Sequence, residues 1–257
     1  MTGNRIGPLF LLAICLLLLT LLGPVAAMLA TTSPAEVMHA FMAPVARNSL
    51  WVSVLASSIA ISVASVLGVP AGYALAHARA RVRGPLLFGL ALPLAFPPVA
   101  SGIILLHVIG TQSPLGGAFY AHGFSLVDSL PGIALAEFFV AGSFVAITSC
   151  AAFGALNPIY EESAATLGAS QMTSFLKIAL PLAAPNVAAG ILLAWLRAIG
   201  EYGATSIVAY HPTSLPVALY VSLDAQGVGP ALALSYGFVV LAAVVLGVQW
   251  ALRRRVV

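Results

Sequence analysis

Residues 154–181 read GALNPIYEESAATLGASQMTSFLKIALP, a polar stretch with its own helical grammar set between two apolar runs. Asn157 and Pro158 supply an N-cap and a first helical residue, and Glu161 and Glu162 place negative charge in the first turn, where the helix dipole favours it. The pattern predicts a short helix over 158–167. Gly168 can take the positive φ that ends a helix, and Ser170 can cap a second one running to about residue 178. Pro181 is expected to bend the chain before the next apolar run. A unit this small cannot bury Leu167, Met172, Phe175, Leu176 and Ile178 by itself. Those side chains either pack on the protein's own helices or meet a separate protein.

Outward from this stretch the chain becomes strongly apolar. Of its 257 residues 61% are hydrophobic and 7% are charged, where a soluble domain carries about 25% charged residues. Ten Lys plus Arg and seven Asp plus Glu cannot cover a water-exposed globule of this size, so the solvent is a bilayer. A membrane helix needs roughly 20 mostly apolar residues, and segments 9–30, 50–76, 86–110, 130–153, 182–209 and 230–252 meet that requirement. The expected class is therefore all-α: a polytopic membrane protein of about six spans with one structured loop. It divides into a first helix and outer loop (1–49), a transmembrane domain (50–252) that includes the 154–181 loop, and a basic tail (253–257).

Lys and Arg are retained on the cytoplasmic side of membranes. Arg5, Arg79, Arg81, Arg83, Lys177, Arg253, Arg254 and Arg255 share one side, whereas loops 31–49, 111–129 and 210–229 hold only Arg47. Both termini and the 154–181 loop are thus expected in the cytoplasm, in a multi-pass protein of the cell membrane. Arg5, a leucine-rich run and the small residues around Ala26 and Ala30 also fit a cleaved leader, which would leave five spans. The net charge of +3 comes from arginines at the ends of apolar runs, not from a patch interleaved with aromatics, so no nucleic acid is expected. Cys15 and Cys150 lie in apolar runs and suggest neither a disulfide framework nor a metal site. Gly-Lys never occurs, so there is no phosphate-cradling loop, and neither His-Glu-x-x-His nor Gly-x-Ser-x-Gly is present. No catalysis and no cofactor are expected on this chain.

Ionisable residues inside spans are costly and usually face a bundle interior or a watery path. Four of them stand out: His107, Glu137, Arg197 and Glu201. Arg197 and Glu201 lie one helical turn apart and can pair. Glu137 and Glu201 enter their spans about 10 Å and about 12 Å from the outer ends, at 1.5 Å per residue, which permits one shared polar cluster. That cluster is either a gate or an ion pair that locks helices together. The same acids with His107 would also suit a proton-driven carrier. Pro97 and Pro98 should bend the third span, Gly200 and Gly203 permit close approach in the fifth, and Gly68 and Gly72 form a small-x-x-x-small pair in the second. His39, His77, His122 and His211 are scattered and read as solvated.

The loop resembles the permease signature of binding-protein-dependent ABC importers: Glu-Ala-Ala, three residues, Gly, nine residues, Ile, one residue, Leu-Pro. Here it reads Glu162-Ser163-Ala164, Gly168, Ile178-Ala179-Leu180-Pro181 with both spacings intact; Ser163 replaces one alanine with another small residue. The resemblance implies a type I importer permease whose loop is a coupling helix seated on an ATP-hydrolysing subunit. In it Glu162, Ala164 and Gly168 would form the docking surface, while Ile178, Leu180 and Pro181 would join it to the fifth span. It also implies a second permease subunit and an extracytoplasmic binding protein that delivers substrate. The stretch Arg197-Ala198-Ile199-Gly200-Glu201-Tyr202-Gly203-Ala204 is similar to Arg-Ala-Leu-Gly-Glu-Phe-Gly-Ala of the molybdate, tungstate and sulfate permease group, and residues 92–99 resemble that group's proline-rich segment. An oxyanion is the substrate this implies. Loop 210–229 is shorter than the basic loop of such permeases, and phosphate, thiamine or iron(III) remain alternatives.

Overall fold

The computed structural model describes residues 7–254. Arg5 and the end of the basic tail, including Arg255, lie outside the described residues. Among the described residues the chain is helical, without a strand. Helix α1 (Pro8–Thr31) has no buried residue, and Tyr236 ties it to the bundle by donating to the Met28 carbonyl at 3.1 Å. Helix α2 (Pro34–Met42) opens with a reciprocal cap: Ser33 N–H donates to Glu36 Oε2 and Glu36 N–H donates to Ser33 Oγ. The order continues with α3 (Pro44–Ala76), α4 (Ala80–Ala95), α5 (Pro98–Ile109), α6 (Pro114–Ala121) and α7 (Leu130–Gly154). There follow α8 (Ile159–Thr166), α9 (Gln171–Ile199), α10 (Gly203–Val208), α11 (Leu215–Gln226) and α12 (Val228–Arg254).

Helices α3, α7 and α9 form the centre. Lipid tails are as apolar as leucine, so membrane helices associate through close van der Waals contact rather than through hydrophobic exclusion. Gly68 and Gly72 supply that contact. A Cβ at Gly72 would lie 2.5 Å from Ser149 Cβ and 2.8 Å from both the Ala146 carbonyl and the Cys150 amide of α7. The second half of α7 packs into a cluster with Ile61, Val69, Tyr73, Ala183 and Val187. Its first half packs with Ala56, Ala60, Leu105, Ile109 and Val208. The 154–181 unit therefore meets one end of α7, and the broken helices α5 and α10 meet the other.

The fold bears on the expected spans at three points, the first an expected bend and the other two corrections. Segment 86–110 is not one straight helix: α4 and α5 meet at 103°. Phe96 precedes Pro97 and Pro97 precedes Pro98, and a residue before proline is driven out of the helical region. Both are extended, with ψ of 138°. Pro85 and Pro93 remain inside α4 without ending it. Among the described residues five helices are then long and apolar enough to cross a bilayer, or six if the bent pair is one span. Secondly, the fifth run does not reach residue 209, because α9 stops at Ile199 and the chain restarts as α10. Thirdly, Pro181 makes no bend. The helix from Gln171 passes through a wider π-turn at Phe175–Ala179, in which Leu180 N–H donates to the Phe175 carbonyl. A proline ring clashes with the carbonyl four residues back, and one extra residue in the turn relieves it. The expected outer loops are also largely helical, holding α2, the start of α3, α6 and α11.

Gly72→Ala should cost about 1–3 kcal/mol through overpacking of the α3–α7 seam. This is read as a lower midpoint of thermal unfolding in detergent; an unchanged midpoint would contradict the close approach.

Candidate functional site

The 154–181 unit folds as its sequence dictates. Asn157 Oδ1 accepts from Ile159 N–H at 3.1 Å, and the helix follows within one residue of expectation. At the other end Gly168 has φ of 81°. Ala169 N–H donates to the Ala164 carbonyl and Gly168 N–H to the Ala165 carbonyl, each at 3.0 Å, the paired bonds of a Schellman turn. Ser170 Oγ then accepts from Thr173 N–H at 3.2 Å and starts α9. The turn fixes which side chains face out. Glu162, Ser163, Gly168 and Pro181 are exposed, Ala164 is buried, and Ile178 and Leu180 are half-buried. Of the apolar set, Phe175 and Ile178 pack inward. Leu167 is 89% exposed, and Met172 and Leu176 are also uncovered, as are Ile159 and Tyr160.

The path candidates gather around the break between α9 and α10. Arg197 Nη1 donates to Glu201 Oε2 at 2.7 Å, and Glu201 Oε1 accepts from Ala204 N–H at 2.9 Å. One carboxylate thus neutralises the guanidinium and caps the new helix, where the dipole favours negative charge. Glu201 is buried while Arg197 stays 37% exposed, so the arginine keeps donors facing outward. Gly203 lies against the α4–α5 bend. A Cβ there would be 2.6 Å from Pro98 Cβ and 3.0 Å from Val99 N. Pro97, Pro98 and Gly200 are exposed. Glu137 is 1% exposed on α7, with Oε2 lacking a hydrogen-bond partner and with Ser57 and Glu201 as polar neighbours. It shares the neighbourhood of the Arg197–Glu201 pair without joining it. His107 is exposed on α5. A cavity of about 930 Å³ opens elsewhere, lined by Glu36, His39, Tyr210, His211, Ser222 and Gln226 among others, and contains none of these residues.

One polar link was not foreseen. His77, read as solvated, lies 3.0 Å from Glu161 Oε2, and Tyr73 donates to the same oxygen at 2.9 Å. A second link joins the opposite end of the bundle: Asp128 Oδ1 accepts from Tyr210 N–H at 2.8 Å. Neither partner pair is near in sequence, so no local pattern announces them.

The sequence profile described as binding-protein-dependent transport system inner membrane component matches residues 68–257. Over 225 residues the chain is 36% identical to the probable molybdenum ABC transporter permease protein of Haloferax volcanii, spanning 88% of this chain and 82% of that one. It is also 36% identical, over 210 residues, to the molybdenum transport system permease protein of Mycobacterium tuberculosis, spanning 80% and 79%. Among solved structures, a bacterial ABC transporter involved in import of the polysaccharide alginate superposes with a TM-score of 0.72, over 96% of this chain and 94% of that one at 17% identity. The inward-facing MetNI methionine ABC transporter gives 0.61 over 81% and 93%, also at 17% identity. The fold is that of a multi-pass membrane permease. The chain belongs to the binding-protein-dependent transport system inner membrane component family, as an ABC importer permease subunit.

The two glycines of the α9–α10 break separate by space. Gly200 has nothing nearer than 3.6 Å to a built Cβ, unlike Gly203. Gly203→Ala should therefore lower both the unfolding midpoint and uptake, by about 1–3 kcal/mol in stability, while Gly200→Ala leaves both near wild type. Equal behaviour of the two variants would contradict the packing of α10 on the α4–α5 bend.

Proposed function

We propose that this permease carries an oxyanion inward, molybdate or tungstate first and sulfate next, with ATP hydrolysed on a separate subunit seated against α8. The exposed apolar surface of the 159–180 unit, displayed by the Schellman turn beside Glu162, carries the docking reading. Three uncovered large side chains at Leu167, Met172 and Leu176 are the kind of surface a monomer rarely leaves bare unless a partner covers it. The substrate reading draws on relatives named as molybdenum or molybdate/tungstate permeases at 30–36% identity over about four fifths of this chain, with a sulfate permease at 32% over a shorter stretch.

In this reading both termini lie in the cytoplasm and the 50–252 segment is the transporting domain. Two permease subunits enclose the path, and an extracytoplasmic binding protein delivers the anion. Arg197 offers its spare donors to the passing anion, while Glu201 holds the guanidinium and keeps its charge from trapping the cargo. Gly200, Gly203, Pro97 and Pro98 shape the break, and Glu137 backs it from α7.

The test is co-purification of the complex followed by uptake of labelled molybdate in proteoliposomes. Glu162→Lys should release the ATP-hydrolysing subunit. Gly168→Val should do so too, since φ of 81° costs a β-branched residue about 1–2 kcal/mol. Glu201→Gln should keep that subunit bound yet change uptake about fivefold or more, the loss of roughly 1 kcal/mol of charge-assisted bonding. Retention of the subunit in both loop variants would refute the docking surface. Wild-type complex that accumulates neither molybdate, tungstate nor sulfate would refute the substrate class.

A further inference from the structure

Tyr73 is buried near the end of α3, one residue beyond the Gly72 contact with α7, and both halves of the 159–180 unit converge on it. From α8, Glu161 Oε2 accepts its hydroxyl hydrogen at 2.9 Å. From the π-turn of α9, the Phe175 ring stacks on it with centroids 4.8 Å apart, and Phe153 of α7 meets it edge-on at 5.3 Å. His77, the residue that ends α3, completes the joint. Its ring packs on Tyr73 at 4.4 Å, Nε2 lies 3.0 Å from the same Glu161 oxygen, and Nδ1 lies 2.9 Å from the Tyr73 carbonyl. Each ring nitrogen thus faces an oxygen acceptor, one on Glu161 and one on the backbone of α3.

We infer that Tyr73, His77 and Glu161 form the joint through which displacement of the coupling unit is passed to α3, and hence to the α3–α7 core, as positioning residues for transport. The inference rests on the reading of α8 as the docking helix. Its physical basis is directional. The Schellman turn makes α8 and the start of α9 one small body. Helix α9 runs on as the fifth span, which itself packs on α3 and α7. From α8 the connection to α3 is this hydrogen-bonded, ring-packed contact, and Glu161 is 88 residues from Tyr73 in sequence. Glu161 is only 19% exposed, and two donors fix its carboxylate. The neighbouring Glu162 faces outward and is free to contact a partner. Two adjacent acids thus divide the work, one toward the motor and one toward the membrane helices.

The experiment uses the whole transporter, reconstituted in liposomes with its ATP-hydrolysing subunit and binding protein, and reads molybdate moved per ATP hydrolysed. Tyr73→Phe, which keeps the ring packing and removes the hydrogen bond, should lower that ratio about fivefold with the ATP-hydrolysing subunit still bound and still active. Glu161→Ala and His77→Ala should act alike. His77→Gln should restore the ratio to within about twofold of wild type, because its amide can donate to Glu161. A wild-type ratio in Tyr73→Phe and Glu161→Ala, loss of the bound subunit in either, or failure of His77→Gln to rescue would overturn the joint. Glu162→Lys separates the two ideas. If it releases the subunit while Tyr73→Phe transports normally, docking stands and the joint falls; if it retains the subunit, the docking reading itself falls.

Discussion

The approach of α3 to α7 at Gly72 leaves no room for a single methyl group, and the other elements take their places from that seam. In a bilayer, contact at this range does what hydrophobic exclusion does in water. With the seam fixed, the first half of α7 presents Glu137 among the helices that carry the break, and the second half presents Phe153 to Tyr73. The two functional regions are therefore opposite ends of one rigid pair. A shift imposed at Tyr73 has a short, stiff route toward the other end, since Gly72 is its neighbour in the chain.

At that other end the same economy of space recurs with different chemistry. The α4–α5 bend and the α9–α10 break are both interruptions of helix inside an apolar protein, where unpaired backbone groups are tolerated only against protein or a polar cavity. Glu201 resolves one of them by accepting from Ala204 N–H while neutralising Arg197, so a single side chain serves the backbone and the charge together. Gly203 lets the two interruptions touch. Such a constellation costs stability that a continuous helix would not, and it leaves one partly exposed guanidinium where an anion could pass.

The loop between α7 and α9 was legible almost residue by residue, because caps and turns are local devices: Asn157, Gly168 and Ser170 act on atoms within five residues of themselves. The proline pair announced a bend for the same reason, although nothing local sets its angle. Pro181 misled, since its conflict with the helix is absorbed upstream by a π-turn that no spacing of side chains reports. Gly200 and Gly203 signalled close approach, but where α9 stops depends on α10 packing against α5. The joint was invisible for a different reason. Tyr73 sits inside an apolar run and His77 just after it, and only the folded chain brings Glu161 to them.

The central claim, that α8 and the start of α9 receive the force of a separate motor, is tested most directly by hydrogen–deuterium exchange of the permease with and without its ATP-hydrolysing subunit. The account predicts slowed exchange of backbone amides across 159–180 when that subunit binds, with the outer helices α2, α6 and α11 unchanged. Unaltered exchange across 159–180, with protection appearing at another surface instead, would contradict it.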